Sequence, residues 1–208
     1  MREKIAIVTG ATGSIGYNIV ESLVKNNYRV LAVARNITKL TALQSISPEA
    51  IETYSVDLTV PDDIRKFFQK VKKKYTTINV LINSAGGGPL GGIQDISDSV
   101  WEENIQLKVL GYIRMAREVV PLMKTISYGR IINIVGTFGK QPSPFFAVGS
   151  VTNAALLSFT KAFSLELEGT GITVNAVNPG AVKSMLWSKT VEQIVSSGNK
   201  NIQFLASS

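Results

Sequence analysis

The chain predicts an α/β protein built on one doubly wound parallel sheet, and three observations carry that prediction. Short β-rich runs alternate with longer helical ones from end to end. Most of the short runs are continuously apolar, as strands covered on both faces must be. No internal repeat, low-complexity tract or linker divides the 208 residues, so residues 1–208 are expected to form one domain with a substantial core.

The strand candidates in order are Ile5–Thr9, Arg29–Ala34, Ile51–Val56, Val80–Asn83, Arg130–Val135 and Thr173–Val177. Between them helices are expected near Ile15–Lys25, Thr38–Leu43, Asp62–Tyr75, Ser99–Met123 and Ser150–Glu168. The third helix has a start signal: Thr59 is placed to cap free N–H groups, Pro61 suits a first turn, and Asp62 and Asp63 suit the positive end of the helix dipole. Strict βα alternation of this kind binds ligands in the loops that follow the strands.

Composition removes several chemistries. Apolar residues are 45% of the chain and charged residues 18%, the balance of a packed protein rather than a disordered one. With no cysteine and no histidine there is no thiolate chemistry, no Ser/His/Asp triad and no metal site beyond carboxylates, so none is expected. No run approaches the roughly 20 apolar residues that span a bilayer, and neither signal peptide nor anchor is legible; a cytoplasmic protein without a membrane partner is expected. The net charge of +7 is diffuse. Its densest cluster, Lys66, Lys70, Lys72, Lys73 and Lys74, is interleaved with Phe67, Phe68 and Val71 at helical spacing, which reads as a solvated helix face in preference to a nucleic-acid stripe.

Directly after the first strand comes Thr9-Gly10-Ala11-Thr12-Gly13-Ser14-Ile15-Gly16, running straight into a helix. Glycines there allow a tight turn and let a pyrophosphate approach the amides of a helix N-terminus. In this strand–turn–helix context the pattern predicts a nicotinamide dinucleotide site of the Rossmann type. The end of the second strand selects the cofactor, since an acid there would bind a ribose 2′-hydroxyl whereas a base accommodates a 2′-phosphate. It reads Ala34-Arg35, so NADP(H) is favoured over NAD(H), the alternative being that Arg35 lies across the adenine ring.

Several further motifs agree. Asp57 stands in Val56-Asp57-Leu58, Asn83-Ser84-Ala85-Gly86 follows the fourth strand, and Pro179-Gly180 follows the sixth. Ala154-Ala155-Leu156-Leu157-Ser158-Phe159-Thr160-Lys161 precedes Glu166-Leu167. From Lys4 to about Ser184 the chain thus resembles the short-chain dehydrogenase/reductase family. The resemblance implies a cofactor set of Gly10, Thr12, Gly13, Ser14, Ile15, Gly16, Arg35, Asp57, Leu58, Asn83, Ala85, Gly86, Pro179, Gly180 and Val182. One departure is the GxxGxxG spacing, which puts Ser14 where the family's shorter branch has glycine.

The resemblance also implies an Asn, Ser, Tyr and Lys tetrad in which the tyrosine moves a proton to or from the substrate oxygen. Anchored on Asn133-Ile134 and Ala154-Ala155-Leu156, every tetrad position is changed: the serine position holds Gly136, the tyrosine position Gly149, the lysine position Asn153 and the asparagine position Lys108. No tyrosine occurs between Gly136 and Asn153. The lysine and asparagine identities look exchanged, so Lys108 and Asn153 are the candidate catalytic pair, Lys108 restoring the positive charge near the nicotinamide ribose and Asn153 bonding that ribose. The alternative is a Lys108 that points to solvent from a long helix. Ser150, Thr137 and Thr152 are the stand-in hydroxyls, each a poor acid when unactivated.

After Pro179-Gly180 the chain reaches Phe204-Leu205-Ala206-Ser207 quickly, so a shortened substrate lid is expected at about residues 181–208 and the family's seventh strand is expected to be missing, leaving six. Ile105, Val109, Tyr112 and Ala116 recur at helical spacing and suggest a homodimer through the long helices, some of them facing the sheet instead. Phe145, Phe146, Leu186 and Trp187 are either the walls of a small-molecule substrate pocket or ordinary core. The expected function is an NADP(H)-dependent oxidoreductase acting on a small carbonyl or alcohol with a non-standard proton-transfer arrangement. The alternative is a catalytically inactive NADP(H)-binding sensor or regulatory protein.

Overall fold

The computed structural model describes residues 3–180. Val182, Leu186, Trp187, the expected lid and the question of a seventh strand lie outside the described residues. Within them six strands, β1 (Lys4–Thr9), β2 (Tyr28–Ala34), β3 (Ile51–Ser55), β4 (Val80–Asn83), β5 (Gly129–Ile134) and β6 (Ile172–Val177), form one sheet in the order β3-β2-β1-β4-β5-β6. Every pairing is parallel, with Thr9 beside Val33, Val8 beside Ile82 and Asn83 beside Asn133. The strand order reverses between β1 and β4, and a crevice opens at the carboxyl ends there.

Alternating side chains of the strands feed two cores. Ile5, Ile7, Leu31 and Val33 pack on one face with Phe67, Phe68 and Val71 of α3 (Pro61–Lys74) and with Met115 and Val119 of α5 (Gly111–Lys124). Ala6, Val8, Ala32 and Ala34 pack on the other with Val20 of α1 (Ser14–Lys25) and with Leu40 and Leu43 of α2 (Ile37–Gln44). Small residues on the second face let α1 lie close to the strands, which brings its N-terminus up to the β1 loop.

Three expectations need correction. Thr59 does not cap α3: its hydroxyl donates to Asp57 Oδ1 at 2.7 Å, and Val60 takes the cap position with no side-chain bond. The nearer carboxylate claims the hydroxyl, while Pro61, Asp62 and Asp63 still open the helix. The helix expected over Ser99–Met123 is interrupted: α4 (Asp98–Asn104) passes into a π-helical segment, Ile105–Leu110, before α5 resumes at Gly111. No proline lies in that break, which ends at Gly111 and whose wider turn rotates the side chains that follow it. Finally α6 (Ala147–Glu166) starts a turn earlier than Ser150 and so takes Gly149 into the helix.

The lysine-rich α3 behaves as a solvated face. Phe67, Phe68 and Val71 are buried while Lys66, Lys70 and Lys73 are exposed, Lys72 pairs with Glu118 at 2.9 Å and Lys74 with Glu52 at 2.7 Å. Tyr112 and Ala116 are also buried within the chain, against the sheet, so they cannot form a face between subunits; Ile105 remains 37% exposed. No helix of the described residues is long and apolar enough to cross a membrane.

Candidate active site

Backbone geometry builds the end of the crevice next to β1. Gly10 has φ of +63°, and a Cβ there would stand 2.7 Å from the backbone of Ala85. A Cβ on Gly16 would collide with the carbonyl of Gly10. The loop is thus held tight by two positions that admit only glycine, with the Gly13 amide donating to the Gly10 carbonyl at 3.0 Å. Thr9 Oγ1 accepts from the amides of Ser84 and Ala85 at 3.1 and 3.3 Å, which ties this loop to the one after β4. Gly13 caps α1 with no side chain, leaving the amides of Ser14, Ile15 and Gly16 without a side-chain partner. Such amides at a helix N-terminus are suited to a phosphate.

A cleft of about 230 Å³ continues from this loop, lined by Gly10, Thr12, Val33, Ala34, Arg35, Asn36, Lys39, Val56, Leu58, Ala85, Gly86 and Leu107. The structure therefore brings Gly10, Thr12, Arg35, Leu58, Ala85 and Gly86 of the expected set to one cavity. Others stand beside it. Asp57 turns its carboxylate to its own loop, accepting from the amide and hydroxyl of Thr59. Asn83 is fully buried and joins strands to helix, its amide donating to Asn133 Oδ1 at 3.0 Å, from which Asn133 donates to Thr160 Oγ1 at 2.9 Å. The Pro179 carbonyl accepts from the amide of Thr137 at 3.1 Å, and Gly180 is the last described residue.

The mouth of the cleft carries basic and neutral groups but no acid from β2. Arg35 is 58% exposed and its Nη1 lies 3.9 Å from Glu103 Oε1, too long and too wet a pair to hold it firmly. Asn36 caps α2 through a bond from the Lys39 amide at 2.9 Å, which sets Lys39 on the same rim. Sequence reasoning missed Asn36, Lys39 and Leu107. The Asn36 cap with a lysine three residues on was a legible signal for two of them.

At the β5 end of the crevice the residues at the expected tetrad positions have their own packing. The π-helical segment directs Lys108 inward, where it is 8% exposed and donates to the Val135 carbonyl at 2.9 Å and to Asn153 Oδ1 at 2.6 Å. Lys108 thus does not point to solvent. Burial pulls its pKa down to about 8, and none of the described carboxylates forms an ion pair with it. Its aliphatic stem covers Gly86, where a Cβ would come within 3.1 Å of Cδ.

Gly136 and Gly149, expected at the serine and tyrosine positions, each have a neighbour that takes the space of a side chain. Gly136 has φ of +123°, and a Cβ on it would stand 2.9 Å from Asn153 Nδ2, so a serine conflicts with that amide. A Cβ on Gly149 would collide with the ring of Phe146, the residue just before α6. Phe146 packs against Phe138 with ring centroids 5.4 Å apart and comes within 3.1 Å of where a Cβ on Gly88 would be. Its ring lies over the place where a tyrosine at position 149 would begin.

The hydroxyls nearby are of little help as acids. Thr152 Oγ1 donates to the Val148 carbonyl at 2.9 Å, and Ser150 Oγ accepts from the Ser143 amide at 3.1 Å with no base beside it. Thr137 caps nothing and opens a short 3₁₀ turn, Thr137–Gly139. Tyr112 is fully buried, gives its proton to the Ile134 carbonyl at 3.2 Å, and has its phenol pKa pushed up by burial.

The sequence and the fold have known relatives. The family model described as short chain dehydrogenase matches residues 4–194. An "uncharacterized oxidoreductase" of Staphylococcus saprophyticus is 30% identical over 190 residues, 89% of this chain and 81% of its own. Among solved structures, L-sorbose reductase from Gluconobacter frateurii, complexed with NADPH and L-sorbose, superposes with a TM-score of 0.87 at 28% identity, covering 96% of this chain and 77% of that one. An NAD+-bound xylitol dehydrogenase superposes with a TM-score of 0.89 at 25% identity, covering 95% and 78%. With a parallel sheet in the order 3-2-1-4-5-6, a glycine-only loop after β1 and a family match over nearly its whole length, the chain belongs to the short-chain dehydrogenase family of NAD(P)-dependent oxidoreductases.

Proposed function

We propose that the protein is an NADP(H)-dependent oxidoreductase that interconverts a small carbonyl and its alcohol, with a proton-transfer arrangement different from the family's. The observation that carries the cofactor choice is the cleft rim, where Arg35, Asn36 and Lys39 stand after β2 with no carboxylate among the lining residues. Arg35 offers a planar fork and Lys39 a second cation to a 2′-phosphate, and Ala34 adds no repulsion.

The residues fit the dinucleotide at both ends. The glycine-only loop and uncapped α1 would hold the pyrophosphate, Val56 and Leu58 would take an adenine face, and Ala85 and Gly86 would lie toward the nicotinamide side. When bound, the cofactor exchanges a hydride with a substrate carbon, chemistry that belongs to the cofactor itself. The chain contributes position, a positive charge from Lys108 and hydrogen-bonding capacity from Asn153, while Phe146 and Phe138 exclude water. The reductase bound to NADPH and L-sorbose supports a carbonyl substrate, and the NAD+-bound relative shows that the fold alone does not choose the cofactor.

Titration of NADPH and NADH by fluorescence, followed by NADPH oxidation with ketones, quinones and diketones, tests this function. Tighter NADPH binding together with turnover supports it. Binding without turnover supports the second reading, a dinucleotide sensor, which the Phe146 ring over Gly149 favours because it removes the family's proton carrier. We also propose a homodimer through α4 to α6, where Ile105, Val151 and Leu165 are exposed; light scattering that returns a monomer refutes it.

A further inference from the structure

We propose that the Lys108 ammonium itself is the proton donor of the reaction, taking over the task that a tyrosine performs elsewhere in the family. The proposal rests on the oxidoreductase function above and adds an identity for its missing acid.

Hydrogen-bond accounting leads to this residue. An ammonium carries three N–H bonds. Lys108 spends them on the Val135 carbonyl and Asn153 Oδ1, and the remaining one meets no acceptor among the described residues. Three competing hydroxyls nearby are committed to carbonyls and a fourth has no base beside it. Thr160 donates to the Leu156 carbonyl at 2.7 Å, Thr152 to Val148 and Tyr112 to Ile134, while Ser150 has no base to activate it.

Placement supports the same assignment. The lysine stem lies on Gly86, which lines the dinucleotide cleft, and its amine bonds Asn153, which stands against Gly136, so one side chain runs from the cleft wall to the β5–α6 end. In contact with Lys108 are Gly86 from the loop after β4, the Val135 carbonyl just after β5 and Asn153 from α6. None of these is a carboxylate. The amine is therefore desolvated with only neutral acceptors to hold its proton, and its pKa of about 8 is close to the pH at which it would work.

The step balances. In reduction the carbonyl carbon gains hydrogen with an electron pair from the reduced dinucleotide, the C=O π bond opens, and the oxygen needs one proton. An N–H bond of Lys108 breaks, the new O–H bond forms, and the neutral amine recovers its proton from water. In alcohol oxidation the neutral amine accepts the proton. Reduction consequently falls as pH rises through the amine's pKa, and oxidation rises.

The absence of cysteine permits a test addressed to this one atom. Lys108→Cys is alkylated in denaturant with carbon-13 labelled 2-bromoethylamine and refolded, which rebuilds a lysine analogue with a slightly more acidic amine. NADPH binding and thermal melting confirm refolding. The expected results are a loss of turnover of about a hundredfold or more in the unalkylated variant, recovery on alkylation, and an alkaline limb of kcat/KM that follows the carbon-13 titration of the amine. Unchanged turnover in Lys108→Cys, or a limb that ignores the labelled amine, overturns the proposal and leaves the oxidoreductase function standing. NADPH binding without turnover in the unaltered protein overturns both.

Discussion

The β1–α1 end of the crevice is held by backbone, and the β5–α6 end by side chains. At the first, Gly10 and Gly16 leave no room for a Cβ, and the contacts that shape the loop are amides and carbonyls joined by the Thr9 hydroxyl. At the second, Lys108, Asn153 and Phe146 fill the space around two further glycines. A site made from backbone tolerates few substitutions at its tight positions and keeps its ligand class. A side-chain site can exchange its groups in compensated sets, as Gly149 and Phe146 do, so the chemistry can change while cofactor binding persists.

The largest expected effect lies at the backbone end. Gly16→Val drives side-chain carbons into the Gly10 carbonyl, so it should cost about 3 kcal/mol, the upper end for overpacking, and abolish measurable NADPH binding. Chemical denaturation and fluorescence titration read the two losses. Folding with normal affinity would break the contrast between the two ends.

The buried amine supplies the next. In the fold the Lys108 pKa is about 8 against its ordinary 10.5, so between those values the unfolded chain binds more protons and stability rises with pH. Below about 8 both states are protonated and the burden on the fold is constant. At about 1.4 kcal/mol per pH unit, the protein should gain roughly 3 kcal/mol over Lys108→Met from pH 8 to pH 10.5. Parallel stability curves for the two proteins would show an amine already solvated.

Arg35→Ala should weaken NADPH by about 2 kcal/mol, the worth of a charged hydrogen bond, and leave NADH unchanged. Equal losses for both cofactors would place Arg35 on the adenine instead. A smaller effect is expected from packing at the β5–α6 end: Gly149→Tyr destabilises, Phe146→Ala relieves it, and the coupling between them should be about 1 kcal/mol in denaturation. Additivity would mean that the ring does not occupy the tyrosine's space. The smallest is Lys39→Ala, about 0.5 kcal/mol on NADPH alone, since its charge sits on a wet rim.

The strands were legible because runs such as Ile5–Thr9 are apolar on both faces, and the cofactor loop was legible because glycine at Gly10 and Gly16 is demanded by covalent geometry. The pairing of Lys108 with Asn153 could be suspected only from two matching substitutions far apart in the chain. The Phe146 ring over Gly149 had no signature, since a phenylalanine before a helix looks the same whether it turns out or in. Thr59 showed how a cap pattern loses to a closer carboxylate in Asp57.

By itself the sequence determined the parallel sheet, its order of elements, the glycine-rich loop after β1 and the lack of any tyrosine between Gly136 and Asn153, because these depend on local pattern and on residue types that are present or absent. Tertiary structure alone decided that a π-helical turn points Lys108 inward, that Asn153 receives it and that no described carboxylate pairs with it. Those facts depend on distances between segments remote in the chain, and the strength of a charge is set by what surrounds it in space.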